Sequence, residues 1–158
     1  MPDYYTFLWL EESPIAVMIR DSTWLFPVIE AIHLVAFGVI GGLILVVDLR
    51  LLGWGLRGQP VTHLARSVRP YLIAGIAAMF ATGIPLFLSE AVKCYYSQPF
   101  WIKMGALAGA ILFTFTLRRR VVQSNPDAGS VSARIAALTS VALWATVAWG
   151  GRWIGFSG

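Results

Sequence analysis

Hydrophobic positions in this chain gather into four long runs, about 24–52, 71–92, 100–117 and 134–156. About 20 predominantly apolar residues of α-helix cross the hydrocarbon core of a bilayer, so each run predicts a spanning helix. Ahead of them, Tyr4 to Ile19 is apolar with scattered charges. The step Ser13-Pro14 has the chemistry of an N-cap followed by proline at N1. Residues 4–20 are therefore expected to form one or two short helices lying in the membrane interface. The expected fold is all-α: an integral membrane four-helix bundle preceded by a short interfacial helical segment. It is one membrane domain over 1–158, with residues 1–23 as the interfacial part.

Composition strengthens this picture. Charged residues make up 13% of the 158 positions, about half the share of a soluble domain, and hydrophobic residues 58%. Mean hydropathy is +0.71. The net charge of +4 does not indicate nucleic acid, because the arginines cluster at the ends of apolar runs. That distribution is topological. Arg50, Arg57, Arg66 and Arg69 follow the first span, and Arg118, Arg119, Arg120 and Arg134 follow the third. These two loops hold 8 of the 12 basic residues. Arg20, Lys93, Lys103 and Arg152 share the other side with 6 of the 8 acidic residues. By the positive-inside rule the arginine-rich loops are expected to be cytoplasmic and both termini outside. Trp24, Trp101, Trp149 and Trp153 fall near the outer boundary, where indole rings prefer to sit. The start MPDYYTFLWLEES lacks a basic leader, so no secretory signal is expected. Cys94 is the only cysteine, which removes an intrachain disulfide or a CxxC pair, and it is expected to be a spectator near the outer surface.

Small residues recur at four-residue spacing: Gly38 and Gly42; Ala74, Ala78 and Thr82; Gly105 and Gly109; Ala142, Thr146 and Gly150. Such ridges let helix backbones approach closely in lipid. Pro85 is expected to kink the second span.

The chemistry lies in the polar residues inside the runs. In the first span Glu30, His33, Phe37, Gly41, Ile44 and Asp48 recur with helical spacing, and this stripe is expected to face the bundle interior. A charge at mid-helix costs roughly 3 kcal/mol on insertion scales, so it needs a reason. Glu30 lies about 9 Å inside Trp24 and His33 about 13 Å, at 1.5 Å per residue. The topology brings Glu90, Lys103 and Arg152 to the same outer half. Asp48, at the inner end, is expected to pair with a nearby arginine. His63 is expected to be a solvated residue on a short interfacial turn.

Several chemistries fit. A haem b could take His33 as axial ligand, with Lys103 and Arg152 neutralising propionates. His63 lies roughly 30 Å further along and cannot share that iron. The second ligand would come from a partner chain, such as a second His33, or from Met79 or Met104. A quinone could hydrogen-bond His33 beside Glu30. Copper-type transport would use His33 as a metal ligand, but Phe37, Gly41 and Ile44 resemble a plug more than a pore. The charges could also be a purely structural clasp between helices. No hydrolase, zincin, Walker or Rossmann motif occurs in a suitable context, so an enzyme acting alone is not expected.

W-x-x-P-x-x-E-x-x-H (Trp24 to His33), DLRLLG (Asp48 to Gly53), Thr82-Gly83, F-W-x-K (Phe100 to Lys103) and W-G-G-R-W (Trp149 to Trp153) together resemble an uncharacterised bacterial family of four-helix inner-membrane proteins. It is known as a domain of unknown function. More distantly the chain resembles the membrane domain of copper-resistance D-type proteins. The resemblance covers about residues 24–155. It implies a bacterial inner-membrane protein with both termini periplasmic, and it marks Glu30, His33, Lys103 and Arg152 as the positions of interest. The wider group carries a histidine late in the third span; here that stretch reads FTFTLRRR, with Thr114 and Thr116 instead. The leading expectation is an accessory subunit that holds a haem or quinone at Glu30 and His33, with Lys103 and Arg152 as charge partners and Glu90 and Asp48 as further members of the polar network. Its partners would be the lipid bilayer, a membrane or periplasmic redox protein and a second copy of itself.

Overall fold

The computed structural model describes residues 3–55, 58–124 and 129–155. Arg57 and the last residue of the fourth expected span lie outside them. Within the described residues the chain is all helical, with no strand. Two short helices, α1 (Tyr4–Glu11) and α2 (Pro14–Asp21), precede the first long helix, α3 (Leu25–Leu51). Then come α4 (Val61–Ser89), a six-residue α5 (Ala91–Tyr96), α6 (Gln98–Phe115), a short α7 (Leu117–Gln123) and α8 (Val131–Ile154). Four helices are long and apolar enough to cross a membrane, with α6 and α7 together making the third. The protein is a multi-pass membrane protein with a four-helix bundle.

Neighbours in the bundle run α4–α3–α8–α6. A single apolar cluster fills the middle: Ile40 and Ile44 of α3, Leu72 and Met79 of α4, Leu107 and Ala110 of α6, Trp144 and Val147 of α8. Glycines set the closest approaches. A methyl on Gly75 of α4 would meet Ile40 Cγ1 at 2.8 Å, and one on Gly150 of α8 would meet the Lys103 Cβ of α6 at 2.9 Å. Gly109 faces Leu143 in ordinary contact. The other expected ridge positions, Gly38, Gly42 and Gly105, have nothing within 4 Å of where a Cβ would stand, so they do not bring these helices together.

Local chemistry explains the shorter elements. Ser13 accepts from the Ala16 amide at 3.4 Å with Pro14 at N1, as the sequence implies. α1 and α2 pack on α4 and α5 at the end of the bundle that carries Trp24. Phe7 is buried there against Phe87 and Tyr95, and Glu11 Oε2 accepts the Val92 amide at 2.6 Å. α4 begins about ten residues before the expected second span, at Val61. Val61, Leu64, Ala65 and Val68 follow the i, i+3, i+4, i+7 rule and pack on Val47, Leu51 and Val122, which holds those turns helical through Pro70. His63 is exposed, but it sits in the first turn of this helix rather than on a separate turn. The helix also runs unbroken through Pro85.

The third span is interrupted at Thr116, whose φ −111° and ψ −85° leave the helical region. Two residues past that break, Arg118 lies inward. Arg118 is expected from the sequence to lie in a solvated loop; instead it is 5% exposed and Asp48 is 0% exposed. Arg118 Nε and Nη2 both donate to Asp48 Oδ1, at 2.8 and 2.7 Å, and Nη2 reaches the Ile44 carbonyl at 3.3 Å. Asp48 does pair with an arginine, but not the sequence neighbour Arg50, which donates to the Gln59 carbonyl at 2.8 Å. Removing one partner of such a pair leaves a buried charge uncompensated, at a cost of about 3–5 kcal/mol. Arg118→Met and Asp48→Leu should therefore each lower the thermal midpoint in detergent sharply. The double variant should fall well short of their sum, which strict additivity would contradict.

Candidate functional site

His33 lies on the arc of α3 that carries Ala36, Ile40, Ile44, Val47 and Leu51, the buried face of that helix. It faces α4, where Thr82 and Gly83 receive it. His33 Nδ1 stands 2.9 Å from Thr82 Oγ1. The Thr82 hydroxyl has one proton, and it points at the Ala78 carbonyl at 2.7 Å. Its oxygen is then the acceptor and His33 Nδ1–H the donor, with the Met79 carbonyl also facing the ring. Nε2 keeps its lone pair. Gly83 makes room for the ring: a methyl there would come to 3.0 Å from His33 Cε1.

Lys103 is half-buried in α6, with its stem against Gly150 and Gly151 of α8. Its charge acts on the His33 ring, so the two belong to one electrostatic neighbourhood. Among the described residues no hydrogen bond or ion pair engages the Lys103 ammonium. At the Trp24 end, a cavity of about 320 Å³ opens between Arg20, Phe26, Pro27, Ser89 and Glu90. Phe26 is seven residues before His33 and Ser89 seven after Thr82, so this cavity stands two turns beyond the His33–Thr82 pair on the same helix faces.

The other expected residues are placed differently. Glu30 is exposed and makes no ion pair among the described residues, so it does not join His33 in the interior. Three residues along a helix turn the side chain about 60° away, which carries Glu30 from the buried arc to the flank of α3. Glu90 ends α4 and pairs with Lys93 at 3.6 Å rather than with Lys103. Arg152 is in the last turn of α8 and exposed. Asp48 is at the opposite end, in the Arg118 pair. Among the described residues no group of three or more His, Cys, Asp and Glu comes together. Cys94 is buried in α5, and burial pushes its thiol up to about 11, so it stays an unreactive thiol at neutral pH.

Two functional partners escape a reading of the sequence alone. In the sequence Thr82 figures as a small ridge residue and as part of a Thr-Gly step, yet a hydroxyl one turn below a proline in an apolar helix is itself a signal. Arg118 is hidden in an arginine run. The buried Asp48 calls for a cation, and only the break at Thr116 singles out which one.

These features define a multi-pass α-helical membrane protein with a histidine held in one half of its bundle. A family model for a family of unknown function, DUF6644, matches residues 7–157, and the chain belongs to that family. No curated protein and no solved structure matches it.

The His33 geometry carries a direct check. Histidine ¹⁵N resonances of the labelled protein should show His33 protonated at Nδ1. Thr82→Val removes the acceptor and should release that tautomer, with little effect on the exposed His63. An Nε2-protonated His33 in the wild type would overturn the hydrogen-bond assignment.

Proposed function

We propose that this chain is a small accessory subunit of a bacterial inner membrane that holds a redox ligand, a haem b or a quinone, against His33. The orientation that goes with it puts the Trp24 end and both termini on the periplasmic side. The observation that carries the reading is the fixed imidazole. Thr82 holds Nδ1–H and leaves Nε2 as an oriented lone pair, the arrangement found where a histidine ligates iron or accepts a ligand proton. Lys103 supports it. An ammonium among apolar helices, with no carboxylate partner among the described residues, suits a ligand that brings an acidic or carbonyl oxygen, such as a propionate or a quinone. When bound, either group would supply one-electron chemistry; the residues bind, orient and shield it. Glu30 and Arg152, exposed at the same end, fit contacts with the ligand's polar edge or with a redox partner better than the interior.

A copper-handling role like that of the copper-resistance D-type membrane domains is less favoured. Ion movement needs polar groups at successive depths, and Phe37, Ile40, Ile44, Leu72 and Met79 occupy the middle of the bundle. A clasp without cofactor accounts for Asp48 and Arg118 but leaves His33 and Lys103 without a purpose.

Absorption spectra of the oxidised and dithionite-reduced protein, recorded beside His33→Ala, test the proposal. A Soret band present in the wild type and lost in the variant is expected for haem. If the spectrum is featureless, extraction should recover quinone from the wild type and little from His33→Ala. A chromophore or quinone content unchanged by the substitution would overturn the reading.

A further inference from the structure

The Arg118 end of the bundle carries far more positive charge than its carboxylate takes up. Among the described residues Asp48 is the only acid at this end, and Arg118 already neutralises it; Asp127 lies outside them. Five further arginines are exposed there: Arg66 and Arg69 on α4, Arg119 and Arg120 on α7, and Arg134 on α8. None of the five makes a side-chain hydrogen bond or an ion pair among the described residues. Packing gathers them. Ala65 and Val68 of α4, Val122 of α7 and Ala133 of α8 meet in one apolar cluster. Each arginine stands one to three residues from one of these four in the chain. The arginines therefore form a collar around one end of the bundle, not separate charges on separate loops.

The surroundings of the collar identify the kind of anion it suits. On each helix, large apolar side chains are exposed on the membrane side of the arginines. These are Ile73 past Arg69, Leu117 before Arg119, and Leu138 past Arg134. At 1.5 Å per residue they lie within about 6 Å of the charges along the helix axes. Trp54, just past α3, and Tyr71, two residues past Arg69, are each 67% exposed. Such amphipathic rings settle at the level of lipid headgroups. A soluble anion would engage the cations and leave the apolar layer unused. An amphiphile with a negative head uses both. Guanidinium groups offer paired donors that match phosphate oxygens, and a basic cluster beside a spanning helix attracts anionic lipid.

We propose that this collar binds an anionic phospholipid, with the phosphodiester among the arginines of α4, α7 and α8 and the acyl chains along the apolar layer beside them. The arginines then do more than set topology: they select the lipid that surrounds this end. The site is at the opposite end of the bundle from His33 and stands or falls without it.

The test is native mass spectrometry of the detergent-solubilised full chain, titrated with phosphatidylglycerol or with phosphatidylcholine of the same acyl chains. Phosphatidylglycerol should be retained about tenfold more tightly. Two double variants, Arg66→Gln with Arg69→Gln and Arg119→Gln with Arg120→Gln, change exposed side chains only, so each should keep a cooperative thermal transition. Each should lower the affinity for phosphatidylglycerol by about fivefold or more, at about fivefold per arginine in full contact. Lys93→Gln, at the far end, should leave it unchanged. Glycerophosphoglycerol, the same headgroup without acyl chains, should not compete. Equal retention of the two lipids, or an unchanged preference in both double variants, would overturn the proposal. So would full competition by the deacylated headgroup, which would make the collar a site for soluble anions, or a loss of preference in Lys93→Gln.

Discussion

A carboxylate with no exposure to solvent, deep in an apolar bundle, has to be neutralised, and much of the architecture at that end follows from how this is done. Asp48 is fixed on α3, so the cation must come to it. Arg118 supplies it from the start of α7, two residues past the non-helical Thr116 that ends α6. Once α7 is drawn in, Val122 packs with Val47, Leu51, Val61, Ala133 and Ala137, so α3, α4, α7 and α8 share a second apolar cluster. The interruption of the third span, which would be a weakness in an isolated helix, is thus the condition for closing the bundle.

The two ends are built on different terms. At the Arg118 end the buried carboxylate and its arginine are paired and enclosed. At the Trp24 end the imidazole is held by a single side-chain hydrogen bond, the neighbouring ammonium has no acidic partner among the described residues, and Glu30 and Arg152 face outward. Proteins depart from internal consistency where a ligand or partner completes the set.

The four spans and the Ser13-Pro14 helix start were legible because each depends on local composition: a long apolar run, or a cap chemistry confined to adjacent residues. Asp48 was legible as one half of a pair. Its partner was not, since choosing Arg118 over Arg50 depends on a backbone break that no short pattern announces. Glu30 and His33 share helical spacing closely enough to suggest one face, yet the 60° between them separates a buried arc from an exposed flank. Thr82 stands in the sequence as a small packing residue beside Gly83; its bond to His33 depends on which face of α4 meets α3, a tertiary fact. Val61 to Val68 fell in the arginine-bearing loop between the expected spans, and tertiary packing on Val47, Leu51 and Val122 is what makes its apolar spacing helical.

The hydrogen bond from the Val92 amide to Glu11 links the first turns of the chain to a segment made 81 residues later. During synthesis α1 and α2 emerge first, but the surface they rest on, Phe87, Tyr95 and the start of α5, does not exist until the second span has been inserted. The pair α1 and α2 can therefore dock only after α3 and α4 have formed a complete hairpin that returns the chain to the end where it left.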